Sequence, residues 1–161
     1  MTEPAVSLEL PEEGLLACIV RLDLAVTQVL EAITGRAGIS LADYLVLAVV
    51  RRSPGQRSAP TAICEVLGRT TGGMTLTLDR LEQAGWLRRL NHRSDRRRVV
   101  VTLTAAGMRL ARRVNEALHD WERDLELPAD RNTVSHVLDA LTEAVSTRGV
   151  PEATAVPLKR L

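Results

Sequence analysis

Between residues 12 and 34, apolar side chains recur at Leu15, Ile19, Leu22, Val26, Val29 and Ile33. Steps of three and four put them on one stripe of a helix, which Gly35 and Gly38 are expected to end. The next run, LADYLVLAVVRR at 41–52, is apolar almost all round. It reads as a helix central to the core, with Ser40 as its N-cap. The turn-rich stretch SPGQRSAP leads into PTAICEVLG, a short helix with Pro60 in its first turn and a stop near Gly68. Thr70 or Thr71 caps another helix running to Ala84, and Gly85 supplies the left-handed residue that ends it. The period then changes to two. Residues 86–90 and 99–103 read as strands, with Val99, Val101 and Leu103 alternating against Val100 and Thr102. Thr104 caps a long helix through about Leu125, striped by Leu110 or Ala111, Val114, Leu118, Trp121 and Leu125. Pro128 breaks the chain. Asp130 opens a last helix bearing Val134, Leu138, Leu141 and Val145. Residues 149–161 carry two prolines and no periodicity, which predicts a loose tail.

A helix pair followed by a β-hairpin predicts a mainly α chain with a small β wing, a winged helix-turn-helix. The hairpin tip is the sequence NHRSDRRR. Its arginines need no place in a core, and the valine strand beside them attaches the tip to the body. Charge sharpens the picture. Residues 1–50 hold two basic and seven acidic side chains, residues 51–113 fourteen and four, and residues 114–161 five and nine. A net charge of only +1 therefore conceals a middle third with the balance of a polyanion-binding module. Lys159 is the one lysine. Arginine suits bidentate contacts to phosphate and guanine.

Composition excludes several classes. At 161 residues the chain suits one domain with extra helices. Aromatics are confined to Tyr44, Trp86 and Trp121, so Leu, Val, Ala and Ile must build the core. No signal peptide or membrane span is expected: the first apolar stretch follows Glu12 and Glu13, and no uncharged run nears the ~18 residues a span needs. Cys18 and Cys64 lie in different predicted helices and form no disulfide framework. His92, His119 and His136 are too scattered for a metal site. A glycine-rich phosphate loop, a nucleophile elbow and an enclosed carboxylate pair are all missing from the sequence, which argues against an enzyme. The expectation is a cytoplasmic protein with no cofactor.

The stretch TTGGMTLTLDRLEQAGWLRR, followed by SDRRRVVVTLTAAG, resembles the recognition helix and wing of MarR-type transcriptional regulators. The family's wing pattern (Asp-x-Arg, an apolar strand, then Leu-Thr-x-x-Gly) maps onto Asp95, Arg97, Leu103, Thr104 and Gly107. The resemblance is dense over residues 41–107. It implies a homodimer joined by its terminal helices, residues 1–36 and 108–148, around DNA-binding lobes at 37–107. It also implies binding of double-stranded DNA at a palindromic operator, helix in the major groove and wing in the minor, and repression relieved by a small-molecule effector. A thiol-based redox-sensing repressor using Cys18 and a ligand-free architectural DNA-binding protein are the alternatives.

On a helical wheel Met74, Leu78 and Leu81 face the core, leaving Gly72, Thr75, Leu76, Asp79, Arg80 and Gln83 outside. The expected DNA-contact set is Thr70, Thr71, Gly72, Thr75 and Leu76 near the bases, with Arg80 on phosphate or paired to Asp79 or Glu82. In the wing, Arg97 is expected in the minor groove and Arg93, Arg96 and Arg98 on phosphates, with Arg88 and Arg89 beside them, while Asp95 orients Arg97. Many family members place a polar or basic residue where this chain has Leu76 or Thr77, so readout here shifts toward a thymine methyl and DNA shape. The effector is expected near Tyr44, Arg21 and the fifth helix. Peroxide-sensing members carry a reactive cysteine near the place of Cys18. Here its neighbours Leu16, Ala17, Ile19 and Val20 predict a buried, unreactive thiol.

Overall fold

The computed structural model describes residues 14–91 and 99–148. These fall into two compact units, one ending at Glu122 and one beginning at Arg123, and each is described by itself. The first unit holds helices α1 (Leu15–Arg36), α2 (Leu41–Arg52), α3 (Pro60–Leu67), α4 (Thr71–Gln83) and α5 (Ala105–Arg123, whose final residue opens the second unit), with strands β1 (Arg57–Ser58), β2 (Leu87–Asn91) and β3 (Val99–Leu103). The second unit holds α6 (Arg131–Arg148). The fold is the expected one, mostly helical with a small antiparallel sheet.

Helix α2 is the centre of the core. Val46, Leu47 and Val50 are fully buried, against Ile63 of α3, Met74, Leu78 and Leu81 of α4, Leu87 and Val101 of the sheet, and Leu110, Ala111 and Val114 of α5. Each such side chain contributes about 1.5–3 kcal/mol on burial, so the long-range packing of α2 rather than helix propensity fixes the lobe. The helix starts as expected, with the Ser40 hydroxyl accepting from the Asp43 N–H at 3.1 Å.

Two boundaries differ from expectation. Helix α1 runs through Gly35, and the reversal comes at Gly38, whose φ of +77° favours glycine. The Ile39 N–H closes back onto the Thr34 carbonyl at 3.1 Å, which buries Ile39 and fixes the turn. Second, the loop after α2 contributes strand β1, so the sheet has three strands in the order β1-β3-β2. Arg57 pairs with Thr102 and Ser58 with Val101. Two residues are too short to show a period, which is why the hydrophobic pattern alone did not reveal this strand. In β3, Val101 and Leu103 point inward and Val99 is exposed, as the alternation predicts.

In the second unit Asp130 caps α6, its carboxylate accepting from the Thr133 N–H at 3.0 Å and from the Thr133 hydroxyl at 2.6 Å. These bonds hold the Asp130 carboxyl below its ordinary range. Val137, Leu138 and Val145 are exposed on α6, as are Leu15, Leu16, Leu22, Leu24 and Val26 on α1. Among the described residues no helix is long and apolar enough to cross a membrane.

Candidate nucleic-acid interface

The inward face of α4 is Met74, Thr77, Leu78 and Leu81, all buried. Its outward face starts with Thr71, Gly72, Thr75 and Leu76, all exposed, and Leu76 is 68% accessible. Thr70 is the N-cap and accepts from the Gly73 N–H, so of the two candidates Thr70 caps and Thr71 is the first helical residue. Gly72 and Gly73 have ordinary negative φ values. A Cβ at Gly72 would meet nothing within 4 Å, and one at Gly73 only the Thr70 hydroxyl at 3.4 Å. Each helical glycine costs about 1 kcal/mol relative to alanine. Among the described residues no close contact requires glycine at either position, and the backbone of this helix start is left bare on its outer side.

Two ion-pair systems hold α4 in place. The guanidinium of Arg80 makes a paired contact with the Asp43 carboxylate of α2, Nε to Oδ2 at 3.0 Å and Nη2 to Oδ1 at 2.5 Å. The Asp43 side chain is 7% exposed and that of Arg80 55%. Arg80 therefore joins α4 to α2. Its carboxylate partner within the chain is not Asp79 or Glu82, the pair expected from sequence, but one 37 residues away, and its half-exposed guanidinium still reaches the surface where a phosphate was expected. The hydrogen bonds to Asp43, and then its charge, raise the Arg80 pKa. Asp79 and Glu82 instead hold Arg89 of β2. Arg89 Nη2 lies 2.6 Å from Asp79, Nη1 donates to Glu82 Oε2, and the Arg89 backbone N–H donates to Glu82 Oε1 at 3.0 Å. Burial opposes the charge on Arg89, and the bonds to both carboxylates outweigh it. The Glu82 carboxyl is held below its ordinary value, first by the backbone N–H of Arg89 and then by its side chain. Arg89, expected on phosphate, is thus a clamp between α4 and the wing strand.

The wing is anchored at its other end by the motif Leu103-Thr104-x-x-Gly107. The Thr104 N–H donates to the Trp86 carbonyl at 3.0 Å, its hydroxyl to the Gly85 carbonyl at 2.7 Å, and the same hydroxyl caps α5 by accepting from the Gly107 N–H at 3.1 Å. A Cβ on Gly107 would stand 1.8 Å from the Trp86 carbonyl oxygen, so only glycine allows α5 this close to the backbone just before β2. Leu103 is buried, and Trp86 packs on the core at the base of the wing. Arg51 adds a cross-link the sequence did not reveal, Nη2 to the Asn115 side-chain oxygen of α5 at 2.9 Å.

The wing-tip residues Arg93, Asp95, Arg96, Arg97 and Arg98 lie outside the described residues. Arg88 is exposed on β2. Cys64 is buried in α3. Cys18 is not: it is exposed on α1, and its sulfur lies 3.5 Å from Nη2 of Arg21. Apolar sequence neighbours do not bury a residue whose side of the helix is covered by none of the described residues of its unit. Tyr44 is a core residue whose hydroxyl is pushed up by burial, with Arg51 and Arg52 pulling the other way. A cavity of about 320 Å³ opens between the end of α1 and α5, lined by Ile33, Arg36, Ala37, Arg113, Val114, Ala117 and Trp121. Neither Tyr44 nor Arg21 lines it.

This arrangement has counterparts. The model of the MarR family matches residues 37–98. The HTH-type transcriptional regulator PecS of Dickeya dadantii is 34% identical over 118 residues, which are 73% of this chain and 71% of PecS. The crystal structure of apo MarR from E. coli superposes with a TM-score of 0.68 at 24% identity, over 83% of this chain and 98% of that one. A MarR mutant complexed with operator DNA does so at 0.63 and 23% identity, over 83% and 99%. The two structures establish the shared fold. The match to PecS extends over more than two thirds of both sequences, and on that ground the chain belongs to the MarR family of transcriptional regulators.

Proposed function

We propose that this chain acts as a homodimer that binds double-stranded DNA at a palindromic operator and represses transcription there until a small-molecule effector releases it. The observation that carries this reading is the outer face of α4. Its first two turns are exposed and uncharged, they carry two adjacent glycines after Thr71 that no contact among the described residues requires, and ion pairs fix the helix to α2 and to the wing strand. Such a helix start can enter a major groove with its backbone close to DNA. Thr71, Gly72, Thr75 and Leu76 face the bases, with Thr70 at the phosphate-proximal cap. In the wing Arg97 enters the minor groove, Arg93, Arg96 and Arg98 meet phosphates, and Asp95 orients Arg97.

Homodimerisation is supported by the exposed apolar side chains of α1 and, separately, of α6. The cavity between α1 and α5 is the best-supported effector site: an apolar floor, a Trp121 ring and the cations Arg36 and Arg113 suit a small anionic aromatic molecule. The chain works in the cytoplasm and has no catalytic role. Exposure of Cys18 beside Arg21 supports a second reading, release by thiol oxidation, which a Cys18→Ser variant tests by losing any response to peroxide.

Selection of bound sequences from a random DNA pool tests the main reading. The expected product is an inverted repeat with two half-sites about one helical turn apart, on which Arg97→Ala weakens binding by about 1–3 kcal/mol. Binding without sequence enrichment would favour the architectural alternative.

A further inference from the structure

We infer that Leu76 is the specificity-determining residue of α4 and that it reads the 5-methyl group of a thymine in each operator half-site. This rests on the DNA-binding reading above and goes beyond it by naming what the helix recognises. A base edge in the major groove is read through hydrogen bonds or through the thymine methyl, its one apolar landmark. The first two turns of α4, Thr71 to Leu78, hold no Arg, Lys, Asn, Gln or His, so the paired donors that identify guanine and adenine are missing there. Most of the remaining polar groups already have partners inside the protein. The Thr70 hydroxyl caps the helix, the Thr75 hydroxyl donates to the Thr71 carbonyl at 3.0 Å, and the buried Thr77 hydroxyl donates to the Gly73 carbonyl at 3.1 Å. Further along, Asp79 is held by Arg89, and Arg80 by Asp43.

Leu76 stands out against that background. It is 68% exposed, and Gly72, one helical turn before it, carries no side chain to screen it. With the opposite face of the helix packed on the core, this isobutyl group is the apolar contact that the outer face of the first two turns offers a base edge. A thymine methyl supplies one of matching size and leaves no unsatisfied polar group on either side.

The test uses the full-length protein and the operator recovered by the pool selection. Each thymine is replaced in turn by uracil, which removes the methyl and nothing else. One thymine per half-site should prove sensitive, with affinity falling about fourfold for one half-site and about fifteenfold for both, the loss of one buried methyl each. Leu76→Ala should bind the original operator more weakly and show no further loss with uracil at that position. Val66→Ala, which truncates the equally exposed Val66 of α3, should keep the full uracil effect. If wild type is indifferent to uracil everywhere, or Leu76→Ala responds to it as wild type does, the inference is overturned while the operator itself stands. If the pool yields no enriched sequence, the operator-specific reading falls and this inference with it.

Discussion

Replacing Arg89 with alanine separates a clamp from a phosphate contact. The substitution removes the two side-chain bonds to Asp79 and Glu82 and keeps the backbone N–H bond to Glu82. Side-chain exposures of 30% for Arg89, 46% for Asp79 and 38% for Glu82 leave the pairs partly screened, so each is worth the modest amount of a surface charge pair. Together, with the two carboxylates left facing one another, the loss should be about 1–2 kcal/mol in urea unfolding. A double-mutant cycle with Glu82→Gln should recover most of that as coupling. On DNA, the variant should bind less tightly because β2 is no longer fixed to α4. Its salt dependence should stay unchanged, whereas a lost phosphate contact lowers the slope by about one unit. The exposed neighbour Arg88→Ala is the control expected to lower the slope. Acid provides an independent check. Glu82 has a lowered carboxyl value in the fold, so the clamp's contribution is complete above the ordinary 4.5 and is lost as pH falls below it, through the lowered value. The stability gap between wild type and Arg89→Ala should narrow over that range. A slope reduced by one, with an unfolding midpoint equal to wild type, would refute the clamp.

Other substitutions probe the remaining contacts. Gly107→Ala places a Cβ 1.8 Å from a backbone oxygen and should cost at least about 3 kcal/mol; an unchanged thermal midpoint would mean that α5 is not held against Trp86. Gly72→Ala should raise stability by about 0.5–1 kcal/mol while weakening DNA binding, and a gain in both would remove the case for close backbone approach. Arg80→Ala should destabilise more than Asp43→Ala, because the first strands a carboxylate that is 7% exposed and the second leaves a guanidinium that is 55% exposed to water. Equal losses in chemical denaturation would contradict that asymmetry.

Much of the fold was legible because its signals are local. The caps Ser40, Thr70 and Asp130, the stop at Gly85 and the alternation in β3 each depend on residues a few positions apart. Period alone was enough to find six helices and the hairpin strands, and charge segregation pointed to the middle third before any geometry was known. The outward face of α4 was also readable, since a helical wheel needs only 3.6 residues per turn.

The contents of that face depended on partners distant in sequence. Charge counting treats every arginine of the middle third as available to a polyanion. Packing spends Arg51 on Asn115, Arg80 on Asp43 and Arg89 on Asp79 and Glu82. Strand β1 exists because β3 offers it a ladder. The need for Gly107 is set by the Trp86 carbonyl, and the exposure of Cys18 by which side of α1 the other described residues of its unit leave uncovered. Sequence determines what each segment can form by itself, through periodicity, caps and turn residues. Which side chains remain free for another molecule is decided only when the segments meet, because a hydrogen bond or an ion pair requires both partners within about 3 Å, and only the folded chain brings them there.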